Sequence, residues 1–179
     1  MPVNAESKTR DILIFPSMIH LVTLFSRQGK VRLCKFYNAN LAKSEKDKTK
    51  IIKEMISNIL SRTASMSCFI EWRDHTIVYK RYASLYFLFV VDKYGVDNEL
   101  IILELIHRYV EVLDQYFGAV CELDIIYNFE KAHFLLDEMI MSGEIMEPSR
   151  KAVVKYVHFS DQFQEDEILF HAVSETSTL

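Results

Sequence analysis

At 179 residues, half of them hydrophobic, the chain has the length of one domain and enough apolar side chains for a substantial core. Its net charge of -4 argues against a nucleic-acid binder driven by bulk electrostatics, and no apolar run reaches the roughly 18 residues of a membrane span. Three cysteines (Cys34, Cys68, Cys121) are odd in number and lack a C-x-x-C spacing, which reads as reduced thiols in a cytosolic protein; the N-terminus has no secretion-signal pattern.

In chain order, Met1–Ser17 reads as a loose extension around the apolar patch Ile12–Phe15. The apolar run Ile19–Phe25 predicts a buried strand, the Ser26–Lys30 turn contains Gly29, and Val31–Tyr37 completes a hairpin. Basic residues far outnumber acids between Arg27 and Lys53, a distribution that attracts acidic peptides or anionic head groups. Ser44 and Asp47 stand at capping-box spacing ahead of a helix whose apolar stripe is Ile52, Met55, Ile56, Ile59 and Leu60. Strands follow at Ser67–Trp72, His75–Tyr82 and Leu85–Val91, the first two joined at Arg73-Asp74. Asp97 is placed to cap a long helix to about Phe117, whose polar residues form one narrow stripe from Glu104 to Gln115, so most of its circumference must be covered.

A further helix is expected over Glu122–Ser142 with Gly143 as its C′ residue, and a last short one from Pro148-Ser149. Beyond Ser160 the chain is acidic and without a sustained period, which predicts a mobile tail. The order ββαβββααα gives the α+β class, an antiparallel sheet flanked by helices. The division is therefore an N-terminal extension (1–17), one domain (18–158) and an acidic tail (159–179).

Chemistry-bearing patterns are missing. There is no Gly-rich phosphate loop, HExxH, GxSxG or paired Cys/His metal spacing, so neither an enzyme nor a cofactor is expected. The six scattered histidines read as polar-face or core residues. Cys121 with His107 is a conceivable thiol–imidazole pair, but no third group is evident to orient the imidazole. Glu122 and Asp124, two apart at a helix start, point to different sides and are explained by the helix dipole.

Several segments carry a family resemblance: Phe25-Ser26-Arg27-Gln28-Gly29-Lys30, Glu71-Trp72-Arg73-Asp74, Tyr79-Lys80-Arg81-Tyr82-Ala83-Ser84-Leu85-Tyr86-Phe87, Glu104-Leu105-Ile106-His107-Arg108-Tyr109-Val110-Glu111 and Cys121-Glu122-Leu123-Asp124. From Met18 to Tyr156 the chain resembles the small (sigma) subunit of clathrin adaptor complexes, most of all that of the first, trans-Golgi and endosomal, complex. The resemblance implies a longin-like fold with a five-stranded antiparallel sheet. It also implies a non-enzymatic subunit clasped by a large gamma-type adaptin, in a heterotetramer with beta adaptin and a medium mu subunit. Such a complex is peripheral to the cytoplasmic face of the trans-Golgi network, endosomes and coated vesicles, and meets clathrin and an Arf-family GTPase. With its large partner the small chain recognises acidic dileucine signals, Asp/Glu-x-x-x-Leu-Leu/Ile, in cargo tails.

Carried over residue by residue, the dileucine pocket implied by the resemblance comprises Tyr82, Ala83, Leu85, Val110, Ala119, Val120 and Ile125, with Arg32 and nearby Arg27 meeting the acidic residue. Ala119 departs from the family, standing where asparagine or serine is usual, so a polar contact to the peptide backbone is not expected there. Read without the resemblance, Tyr82, Leu85, Val110 and Val120 are core residues, and the two arginines hold acids of a partner. A longin-like subunit without a cargo pocket, as in coatomer or a tether, is the competing reading.

Overall fold

The computed structural model describes residues 19–63, 65–93, 98–147 and 149–176, with side chains as far as Glu167. The extension Met1–Ser17, the expected cap Asp97 and Pro148 lie outside the described residues.

Strand β1 (Ile19–Ser26) turns back into β2 (Val31–Phe36) as expected. Gly29 supplies the positive φ of that turn at +75°, and the buried Ser26 hydroxyl accepts the backbone N–H groups of Gln28 and Lys30. A 3-10 turn at Ala39–Leu41 leads to α1 (Glu45–Leu60). Ser44 caps α1 by accepting from the Asp47 N–H at 3.2 Å, and its hydroxyl donates to the Asp47 carboxylate at 2.8 Å. Strands β3 (Phe69–Trp72), β4 (His75–Tyr82) and β5 (Leu85–Asp92) then form a meander.

All pairings in the sheet are antiparallel and the spatial order is β2-β1-β5-β4-β3, so the first strand pairs with the last. That places β1 and β5 at the centre, buried along nearly their whole length, and explains why both read as unbroken apolar runs rather than alternating ones. One face (Leu21, Phe25, Ile77, Tyr79, Leu88, Val90) is covered by α1 through Ile51, Met55, Ile56 and Ile59. The Trp72 indole donates to Glu54 at 3.0 Å and ties β3 to the same helix. The buried row of α1 thus includes Ile51, whereas Ile52 is only half buried and Leu60 exposed, a small rotation from the expected stripe.

The other face (Val22, Leu24, Val78, Phe87, Phe89, Val91) is covered by α2 (Glu99–Phe117) and α4 (Phe129–Met139), with α5 (Arg150–Thr176) packed against both helices. Asn98, one residue beyond the expected position, caps α2 by accepting from Leu100 N–H. Fully buried Tyr109 at mid-helix packs edge-on to Phe87 and donates its hydroxyl to the Ala132 carbonyl at 2.8 Å, locking α2 to α4.

Three departures from the expected elements stand out. The helix expected over Glu122–Ser142 is two, α3 (Glu122–Tyr127) and α4, broken at Asn128. It also stops at Met139, and Ile140–Met141 (β6) pairs with Glu144–Ile145 (β7). Ser142 and Gly143 both have positive φ, the signature of a type I′ hairpin turn rather than a helix terminus; the Gly143 carbonyl accepts from the N–H of Ile19. Finally, the acidic stretch beyond Ser160, expected to be mobile, continues α5 to Thr176. The start of that stretch is anchored: Asp161 accepts from Tyr116 of α2 at 2.5 Å and from Lys131 of α4, and His158 stacks on Tyr116. The boundary expected at 158 falls inside this helix.

Candidate functional site

At one end of the sheet the β1–β2 turn lies beside the β4–β5 turn, because Ser26 pairs with Leu85 across the central strands. Tyr82 and Leu85 pair with each other across the two-residue turn Ala83-Ser84. Ala83 sits at φ +50°, a conformation costing a non-glycine residue about 1 kcal/mol or more. Guanidinium groups offset that strain: the Ala83 carbonyl accepts from Arg27 and from Arg81, each at 3.1 Å, and the Arg27 backbone N–H reaches the Ser84 carbonyl.

From this turn Tyr82 leans onto α2. Its ring stacks on His107, its hydroxyl lies 3.1 Å from His107 Nδ1, and Phe87 meets it edge-on. Val110 follows one helical turn later. After Phe117 the chain reverses through two successive left-handed residues, Gly118 (φ +65°) and Ala119 (φ +64°). Asp114 holds the reversal by accepting the Val120 N–H at 3.1 Å. Asp124 then accepts the Cys121 N–H at 2.7 Å and so caps α3; that backbone bond keeps its carboxyl below the ordinary carboxylate value.

The seven apolar residues implied by the resemblance fall into three layers. Leu85 and Ile125 are sealed in the core, at 6% and 0% exposure. Tyr82, Val110 and Val120 are half buried and pack against the same core that holds those two. Ala83 and Ala119 are exposed at the lips of their turns. Leu85 and Ile125 therefore lie inside the core, while Tyr82, Val110 and Val120 sit at its margin.

The cations differ in kind. Arg32 of β2 donates to Glu122 of α3 through Nη2 at 2.8 Å and Nε at 2.9 Å, both side chains about a fifth exposed. Arg27 donates to a carbonyl, and its charge is not matched by that bond. Glu122 thus has a role the sequence did not reveal: ninety positions from Arg32, it carries no local signal of their pairing. His107 and Arg81 were likewise not anticipated as supports of Tyr82 and Ala83. The conceivable thiol–imidazole pair meets a competing arrangement, because the His107 ring nitrogens face Tyr82 and, at 3.7 Å, Glu111.

Comparison with known proteins fits this geometry into a family. The family model described as clathrin adaptor complex small chain matches residues 18–164. The chain belongs to the clathrin adaptor small-chain family. This adaptor small chain is 54% identical over 150 residues to the AP-1 complex subunit sigma-1A of Homo sapiens, a match covering 84% of it and 92% of the relative. It is 48% identical over 159 residues to the AP-1 complex subunit sigma-1 of Saccharomyces cerevisiae, covering 88% and 99%. In three dimensions it is similar to a chain of a homology model of the full-length AP-3 complex in a stretched open conformation, with TM-score 0.63, 29% identity and coverage of 84% and 97%. Its five-stranded antiparallel sheet between helices is the longin-like arrangement of adaptor small chains. At the level of the family, the chain is the small subunit of an adaptor complex in coat-associated membrane traffic.

Proposed function

We propose that this adaptor small chain, clasped by a large gamma-type adaptin within a heterotetramer, reads acidic dileucine signals in the tails of cargo moving between the trans-Golgi network and endosomes. The observation that carries the reading is the pairing of an apolar surface with cations at one end of the sheet: half-buried Tyr82, Val110 and Val120 over a sealed floor, with Arg27 and Arg32 alongside. Two adjacent leucines fit the apolar part, and an acid four residues upstream fits the basic part. The similarity to AP-1 sigma subunits supports the gamma-type partner and the compartment. Exposed apolar side chains on α2 to α4 (Leu100, Ile101, Leu123, Tyr127, Phe129, Phe134) support burial under a large companion. Clathrin and the Arf-family GTPase act on the complex; this chain need contact neither.

The energetics favour weak capture. Each fully buried leucine contributes about 1.5–3 kcal/mol, and ordering a flexible peptide offsets much of it. A half-exposed charge contact adds about 1 kcal/mol or less. One signal then binds at roughly micromolar affinity or weaker, and firm capture comes from several contacts on one membrane. Isothermal titration of the heterodimer with a peptide bearing the acid and both leucines tests this. Micromolar binding abolished by alanines at the two leucines is expected; no difference between the peptides overturns the reading.

A further inference from the structure

At the opposite end of the sheet from the Ala83 turn, three ligating side chains converge from three strands. His20 is the second residue of β1, His75 opens β4, and Asp92 closes β5 and pairs directly with His75. One ligand atom from each lies within 4.8 Å of the other two. His20 Nε2 is 2.6 Å from Asp92 Oδ1, His75 Nδ1 is 3.6 Å from the same oxygen, and the imidazole centroids are 4.6 Å apart. A register shift in the β1–β5 ladder between Ile19 and Leu21 falls at His20. Such irregularities re-aim a side chain.

His75 Nδ1 is the informative atom. It is buried and has no hydrogen-bond partner, although it faces a carboxylate and a second imidazole. A buried polar atom left without a partner calls for an explanation, and an ion is one of the standard ones. The Trp72 ring stacks on the imidazole and helps fix its plane. His20 is 3% exposed, whereas His75 and Asp92 keep 19% and 25% of their side chains open, which leaves a solvent approach on one side.

We propose that His20, His75 and Asp92 form a binding site for a divalent metal ion of the zinc class. Two imidazole nitrogens and one carboxylate, with a fourth position left to water, is a donor set that suits such an ion, and hard oxygen-seeking cations prefer a different one. Bonds of about 2.0–2.2 Å need ligand atoms about 3.3 Å apart. The 2.6 Å pair has to open and the 3.6 Å pair to close, each by well under one ångström, while the two imidazole nitrogens, within 4.8 Å of each other, have to close by up to about 1.5 Å.

Asn38 sets the tautomer. Its Nδ2 lies 2.9 Å from His20 Nδ1 while its Oδ1 accepts the Asn40 N–H at 2.8 Å. In that arrangement Nδ1 is the acceptor and the proton sits on Nε2, pointing at Asp92. Metal at Nε2 moves the proton to Nδ1, with no net loss from the ring, and the Asn38 amide turns over so that Oδ1 accepts it. The Asn40 N–H lies on an exposed turn, where water replaces the lost contact. Asn38 is therefore the outer partner that orients this ligand, and such partners change metal affinity by about 10- to 100-fold.

The test is titration of the untagged full-length chain with zinc against a chromophoric chelator, alongside His75→Ala and Asn38→Asp. His75→Ala breaks no hydrogen bond at Nδ1 but gives up the stacking on Trp72, so its metal-free Tm is compared with the parent's before zinc is added. One zinc per chain is expected, with cobalt(II) giving the visible bands of a tetrahedral site and zinc raising Tm. His75→Ala should weaken binding at least about tenfold and remove the Tm rise, and Asn38→Asp, which offers oxygen to both donors, should tighten it. Absence of saturable one-to-one binding, or equal affinity in the parent and His75→Ala, overturns the proposal.

Discussion

Because Arg32 already bonds Glu122 from two nitrogens, an incoming acidic side chain has to compete with an internal carboxylate. Glu122→Gln should therefore raise affinity for an acidic dileucine peptide about fivefold, the equivalent of about 1 kcal/mol, in titration of the heterodimer. Unchanged affinity would mean that Arg32 serves only to dock α3 on β2. The burial pattern also separates two substitutions that look alike in the sequence. Leu85→Ser leaves a polar group in a sealed site and should cost about 2–4 kcal/mol of stability, so its effect on peptide binding is confounded with folding. Val110 is half buried, and Val110→Ser should abolish peptide binding while the heterodimer still assembles in co-purification. Loss of assembly instead would make Val110 a packing residue. At this scale the apolar residues of the proposed site are named by family resemblance alone. Sequence reading could not rank their depth, because layering depends on which strand neighbours which.

Among the elements, the acidic stretch of α5 is anchored at its start by Asp161. Burial by itself would raise that carboxyl, but bonds from Lys131 and Tyr116 outweigh it and hold the pKa below the ordinary 3.8. A carboxyl depressed in the folded state stabilises above its unfolded value, and that contribution is lost as pH falls through the folded pKa. Acidification below about pH 4 should therefore loosen residues 158–176, seen as loss of amide protection in hydrogen exchange. Asp161→Asn should produce the same loosening at neutral pH, at about 1 kcal/mol; full protection retained in the variant would refute the anchor. Gly29→Ala tests the β1–β2 turn. Its φ of +75° and a Cβ only 3.3 Å from Ile56 predict a cost of about 1–2 kcal/mol in chemical denaturation.

These two elements show where local pattern succeeds and fails. The hairpin was legible because glycine falls between two apolar runs. The tail was not, because its anchors are a carboxylate and aromatic rings meeting α2 and α4, which no hydrophobic period registers. Ser142-Gly143 was misread for a related reason: glycine after a helical run signals either a helix end or a tight hairpin, and only the pairing of Ile140 with Ile145 decides.

For the molecule as a whole, the order ββαβββ followed by helices was readable, and with it the layered α+β class. The strand order was not, since pairing the first strand with the last requires contacts some seventy positions apart. That closure sets the functional layout. It brings the basic β1–β2 turn beside the Ala83 turn at one end of the sheet and the histidine–aspartate cluster to the other. The apolar side chains of α3 and α4, Tyr127 at 78% exposure above all, then face outward. Photo-crosslinking is the most direct test of the proposed cargo reading: a peptide with photoreactive leucines at both signal positions, bound to the heterodimer and mapped by mass spectrometry. Adducts on Tyr82, Val110 and Val120 that vanish on competition with the unlabelled signal are expected. Adducts confined to the large chain, or to faces of this chain away from those three residues, would contradict it.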